Sequence, residues 1–250
     1  MINKPIINPR KEKGDPDLPA TGLLCVNPGD ARYICAKAEK LGAVRHFLFN
    51  SNLYITQSDP EKLSIFIAGP AVGAPMAVMT MEKLIALGAR KVIVYGWCGS
   101  LNPELQTGDI LLPTWGASEE GTSKHYPILE KPASNESWRH DLGHVISTAG
   151  FGFQEGPILS IDAPYRETRK LIHDYAGKSI LGLDMEFSAL ATLAIYRQID
   201  LAAFFLVSDE LWRKKWHPGF KSKTFLATNR QIMDLLVQIL SGKGGSEHDR

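Results

Sequence analysis

The sequence predicts a three-layer α/β sandwich, with helices covering both faces of a central sheet. Short β-rich apolar runs alternate with longer stretches of helical period along most of the chain. Some runs, such as 202–207, are apolar on both faces, as a strand covered on two sides must be. No linker, repeat or low-complexity break interrupts 22–240, so that stretch is expected to form a single domain.

In order, strands are expected at 22–26, 63–67, 91–95, 109–112, 153–160 and 201–208. Helices are expected at 31–41, 75–87, 165–175, 187–198 and 224–240. Pro75 suits a first helical turn, where its missing N–H costs nothing, and Gly88 suits the position just past that helix. Residues 1–21, polar and rich in proline, read as an extended arm, and 241–250 as a flexible tail.

Composition narrows the function classes. The 28 basic and 27 acidic residues nearly cancel, which argues against an electrostatic nucleic-acid binder while leaving room for a local anion pocket. Three cysteines without a CxxC pair form no disulfide framework and fit a reducing compartment. The N-terminus has no apolar signal region, and the longest apolar run, 201–208, falls short of the roughly 20 residues of a membrane span. A soluble cytoplasmic protein without membrane or nucleic-acid partners is expected. Neither G-x-G-x-x-G nor a Walker A sequence occurs, which disfavours dinucleotide and nucleoside-triphosphate enzymes.

Ligands of such folds gather at the carboxyl ends of strands. Five endings there offer glycine turns or carboxylates: Asn27-Pro28-Gly29-Asp30, Gly69-Pro70-Ala71-Val72-Gly73, Gly96-Trp97-Cys98-Gly99-Ser100, Asp184-Met185-Glu186 and Ser208-Asp209-Glu210. Leaving aside 69–73, these pieces, with Gly88-Ala89-Arg90-Lys91, Gly108-Asp109-Ile110 and 120–126 between them, run in an order that resembles the purine nucleoside and uridine phosphorylases. The resemblance covers about 22–240. It implies a mixed, partly barrel-like sheet, a homo-oligomer between dimer and hexamer, and cleavage of a nucleoside with inorganic phosphate as co-substrate and no cofactor or metal.

Breaking an N-glycosidic bond needs the sugar hydroxyls held, the departing base neutralised and a nucleophile on the opposite face. The Glu186 carboxylate can accept from two adjacent ribose hydroxyls and favours a developing oxocarbenium charge, with Met185 as soft apolar surface. Placed elsewhere, Glu186 would only be an acid in a helix's first turn. Asp209 matches the family's purine-protonating aspartate; without that role it would be the N-cap of a short helix. By resemblance, Gly99, Leu159 and Asp162 join the substrate pocket, and Gly29, Arg32 and a neighbouring subunit's Arg45 the phosphate site. Leu159 stands where several relatives place an aromatic, and no N-terminal histidine is present to reach the ribose 5′ end.

The anion motif departs from the family pattern. Arg32 comes one residue early, Val94 replaces an arginine, and Trp97 replaces a serine or threonine. A hydrolytic nucleosidase and a nucleoside-binding homologue without turnover therefore stand beside phosphorolysis. The pair His140 and His144 at i, i+4 spacing reads as a solvated helix face, since no third metal ligand accompanies it. The basic, aromatic stretch 212–220 follows Asp209 directly and reads as a lid or wall of the pocket.

Overall fold

The computed structural model describes residues 5–49, 51–56 and 64–240. In order they form β1 (Thr21–Cys25), α1 (Pro28–Lys40), β2 (Val44–Leu48), β3 (Ser51–Ile55), β4 (Phe66–Gly69) and α2 (Ala74–Leu87). There follow β5 (Lys91–Ser100), β6 (Ile110–Glu119), α3 (Glu136–Thr148), β7 (Gln154–Ile161) and α4 (Arg169–Ala176). The chain continues as β8 (Gly182–Asp184), α5 (Phe187–Arg197), β9 (Asp200–Glu210), β10 (His217–Pro218) and α6 (Lys223–Leu240). The tail at 241–250 and the start of the expected strand at 63–67 lie outside the described residues.

All ten strands belong to one mixed sheet, ordered β10-β9-β6-β7-β8-β5-β1-β4-β3-β2. Because β9 also pairs in parallel with β5, the strands β5, β9, β6, β7 and β8 close into a five-stranded barrel. The open wing β1-β4-β3-β2 extends from it.

Along β9 successive residues feed two different cores. Ala203, Phe205 and Val207 join the side chains of α2 and α5, whereas Ala202, Phe204 and Leu206 join those of α1, α3 and α6. A strand with two apolar faces lets helices pack on each, and the three layers follow. The end of the extended arm is fastened as well: Leu18 is buried and its N–H donates to the Leu87 carbonyl at 2.9 Å.

Three departures from the sequence expectation shape the site. The stretch 96–100, expected as a turn, continues β5, because Gly96 and Gly99 serve close packing. A Cβ on Gly96 would lie 2.7 Å from Val26 Cγ2, and one on Gly99 2.7 Å from Leu211 Cδ1. Likewise, β6 runs past Pro113 to Glu119, since a register shift between Pro113 and Gly116 accommodates the proline. The helix expected from 165 begins only at Arg169, where the Thr168 hydroxyl caps it by accepting from Leu171 N at 3.2 Å. The β2–β3 hairpin, β8 and β10 were not anticipated, because each is short or mixes charged with apolar residues.

Phe205 is fully buried and meets Phe187 edge-on, with ring centroids 6.2 Å apart. Phe205→Ala should cost about 3–5 kcal/mol in chemical denaturation. A loss well below that would show that the barrel does not depend on this contact.

Candidate active site

At the carboxyl end of the barrel lies a cavity of about 550 Å³. It is walled by Trp97, Cys98 and Gly99 of β5, the 164–169 turn after β7, and the β8–α5 turn. The end of β9 and the aromatic pair Trp216 and Phe220 complete it.

The β8–α5 turn is held by one buried carboxylate. Asp184 Oδ2 accepts from Glu186 N at 3.0 Å and Phe187 N at 2.6 Å, and Oδ1 accepts from the Ser160 hydroxyl at 2.5 Å. This satisfies the first amides of α5 and fixes the Glu186 side chain toward the cavity. Glu186 is 4% exposed, and its Oε1 accepts from Gly73 N at 2.5 Å. Burial pushes both carboxyls above the usual carboxylate range, and the Asp184 charge raises Glu186 further.

Asp209 reaches the cavity through a bulge. Cys98 pairs with Val207 but Gly99 pairs with Asp209, so Ser208 is the extra residue in β9. Asp209 Oδ1 accepts from the Ser208 hydroxyl and Oδ2 from the Trp216 indole N–H, both at 2.7 Å. A Cβ on Gly99 would come within 3.4 Å of that same Oδ2, so the glycine keeps the space beside the carboxylate open.

The segment carrying Trp216 is tied down at both flanks. Arg169 donates to the carbonyls of Leu211 and Lys214 at 2.7 and 2.9 Å, and His217–Pro218 pairs with the end of β9. The basic, aromatic stretch is thus a cavity wall.

Glu167 also lines the cavity and was not singled out from the sequence. It is half-buried, and burial followed by the Asp209 charge pushes it up to about 7. Asp184 was also missed as a positioning group. Its signal was legible: an acid two and three residues before the first amides of a helix.

The residues expected from the sequence divide. Met185, Glu186, Gly99 and Asp209 meet at the cavity. Leu159 does not line it but packs behind Ile172, Leu183 and Leu211, which do. Asp162 is turned away, accepting from Gly121 N at 2.8 Å. Gly29 and Arg32 sit exposed at the start of α1, and Arg45, on the β2–β3 hairpin, donates to Asn52 at 3.2 Å.

The region near Gly29 holds a carboxylate where an anion site needs cations. Asp30 is buried, accepts from Asn229 at 3.0 Å through Oδ1, and leaves Oδ2 without a hydrogen bond. Burial raises its pKa. Trp97 packs edge-on against Phe225 at 5.0 Å, and its N–H approaches Asp30 without reaching hydrogen-bond geometry. Val94 is fully buried. His140 and His144 lie exposed on α3, and no cluster of three potential metal ligands occurs among the described residues. No helix among them is long and apolar enough to cross a membrane.

Two outcomes follow from this geometry. Asp184→Asn can keep one oxygen on the Glu186 and Phe187 amides but takes away the acceptor of the Ser160 hydroxyl, and should destabilise the protein by about 1–3 kcal/mol in urea titration. Glu167 is raised from 4.5 to about 7 on folding, so the folded chain keeps a proton that the unfolded chain loses between those pH values. Stability therefore falls as pH rises through that window. Glu167→Gln should melt progressively higher than the parent from about pH 5 to about pH 8, and parallel melting curves would contradict this assignment.

The chain is similar to known proteins along most of its length. A guanosine phosphorylase of Halorubrum lacusprofundi is 27% identical over 192 residues, covering 75% of this chain and 78% of the relative. A uridine phosphorylase of Treponema pallidum is 26% identical over 212 residues, covering 77% and 80%. The crystal structure of a purine nucleoside phosphorylase from Toxoplasma gondii in complex with immucillin-H superimposes with a TM-score of 0.76. It is 18% identical and covers 90% of this chain and 91% of that one. Such a likeness establishes the fold, a closed barrel-like sheet flanked by helices. Because residues 20–240 match the sequence profile described as Phosphorylase superfamily, the chain belongs to that family.

Proposed function

We propose that the protein is a nucleoside phosphorylase, a pentosyltransferase that cleaves a purine nucleoside with inorganic phosphate to free base and ribose 1-phosphate. The observation that carries this reading is the placement of Glu186 and Asp209 in one cavity, each at the end of a barrel strand. The named relatives supply the reaction class.

In this reading Glu186 accepts from the ribose hydroxyls, and its negative charge favours the oxocarbenium-like transition state. Met185 lies beside the sugar. Asp209 serves the base: as the C1′–N9 bond breaks, its electrons pass to the base and a proton is delivered at N7. The Trp216 N–H now on Asp209 must be displaced for the base to reach that oxygen. A phosphate oxygen forms the new bond at C1′, with Gly29, Arg32 and a neighbouring subunit's Arg45 as its cradle. The assembly is then at least a dimer, and Val44, Phe47 and Phe49 stand exposed around Arg45 on the same hairpin segment. The reading requires no metal or cofactor.

One observation favours water as the nucleophile instead. Four carboxyls line the cavity, and Arg169, its single cation among the described residues, is committed to two carbonyls. A phosphate dianion would enter against that charge.

Base release from inosine, adenosine, guanosine and uridine, measured with and without phosphate, separates the two. The proposal expects release from the purines to require phosphate, and phosphate-independent release would establish hydrolysis. Asp209→Asn should lower turnover of the purine substrate by about 10²–10⁴-fold. Glu186 must be ionised to accept, so the acid limb of the kcat/KM profile should lie above the usual carboxylate range. Asp184→Asn removes a neighbouring negative charge and should move that limb to lower pH.

A further inference from the structure

Of the groups bordering the cavity, Trp216 is the one whose contact competes with the chemistry assigned to the site. Its indole N–H donates to Asp209 Oδ2 at 2.7 Å, and the Ser208 hydroxyl donates to Oδ1. The chain itself thus serves both oxygens of the acid. The indole does not need this acceptor. Trp216 is 56% exposed, so water would satisfy its N–H, whereas Trp97, Trp138 and Trp212 keep buried N–H groups with no hydrogen bond. The contact serves the carboxylate.

The main chain on either side of Trp216 is pinned. Arg169 holds the carbonyls of Leu211 and Lys214, and His217–Pro218 pairs with Glu210 and Asp209. Beyond them, Gly219 N donates to the Ser208 carbonyl at 2.8 Å. A Cβ on Gly219 would lie 2.1 Å from Thr107 Cγ2, so that point of the wall is packed as well. Freedom is left to the side chain, which is half-exposed and has the Phe220 ring as an aromatic neighbour at 6.3 Å between centroids. A change of rotamer takes the N–H off Asp209 while the wall stays in place.

We propose that Trp216 is a product-release residue: its indole N–H takes the place of the purine N7–H on Asp209 and so competes with the departing base. The inference rests on the purine reading above and adds how the site is cleared. Proton delivery at N7 leaves Asp209 as a carboxylate and the free base with a hydrogen at N7. Base and indole then each offer one N–H to the same oxygen, donor for donor. An intact nucleoside has only a lone pair at N7, so it meets Asp209 through the proton of the acid instead.

A base held by an N–H on a buried carboxylate leaves slowly unless something replaces that bond, because a charge-assisted hydrogen bond must break and its acceptor is left unpaired. The indole is a replacement already attached to the chain, so its return is an intramolecular event. The apparent affinity for the base falls by the fraction of molecules in which Trp216 holds Asp209.

Calorimetric binding of hypoxanthine and adenine, each beside its 7-deaza analogue, to the full chain and to Trp216→Phe tests this. The analogues carry C–H in place of N7, so they do not compete with the indole for Asp209. Phenylalanine keeps a ring and offers no N–H. The ratio of affinities, purine over its 7-deaza analogue, should rise about tenfold in Trp216→Phe. Trp216→Ala should show the same rise, because lost ring contact weakens both members of the pair and cancels in the ratio. An unchanged ratio in either variant would overturn the proposal. So would a lowered one, the result expected if Trp216 only orients Asp209, and so would a parent protein that binds neither purine. Failure of the phosphorylase reading is seen separately, as absence of base release from inosine, adenosine and guanosine with phosphate present.

Discussion

From Lys91 to Ser100, every residue of β5 is paired with a residue of β9, and the other features of the molecule hang on that pairing. Without it the sheet would be an open ribbon ending at β9 and β10. With it, five strands close on themselves, and their carboxyl ends are drawn around one space. Gly96 and Gly99 permit the approach, because side chains there would collide with Val26, Phe205 and Leu211. The one irregularity in the ladder, at Ser208, turns the next carboxylate into the cavity. Closure and site are thus consequences of the same backbone contact.

Concentrating carboxyls at that end has an energetic cost, which the structure distributes. Asp184 gives its oxygens to three donors and in doing so fixes Glu186, whose own oxygen takes the Gly73 amide. Asp209 shares the Ser208 hydroxyl and the Trp216 indole. Each acid therefore arrives in a defined orientation before any substrate binds, which is the preorganisation that electrostatic catalysis needs. Glu167 stands outside this sharing: its carboxyl borders the cavity without a side-chain hydrogen bond among the described residues.

The anion side is built differently. Val94 and Trp97 fill with apolar surface the places where the family resemblance expects a cation and a hydroxyl, and Asp30 brings a further carboxyl close to Gly29. The exposed Arg32 and Arg45 are the cations left nearby in the sequence order of that motif. Neither lines the cavity of the single chain.

The three-layer α/β class, the family and the residues Met185, Glu186, Gly99 and Asp209 were legible in the chain itself, because each belongs to a local pattern: alternating apolar periods, or short motifs at strand ends. The hairpin β2–β3, the extension of β5 through its glycines and the continuation of β6 past Pro113 were not. A glycine or proline read alone signals a turn, and only the neighbouring strand shows that it serves close packing or a bulge. The same limit left unseen that Leu159 packs with Ile172 and that Asp162 accepts from Gly121, and it hid Glu167 within an expected helix. The sequence by itself determined which chemical groups are present and on which kind of element. Tertiary structure alone decided which of them share a cavity, because barrel closure and the bulge at Ser208 join segments far apart in the chain, through contacts that no local pattern encodes.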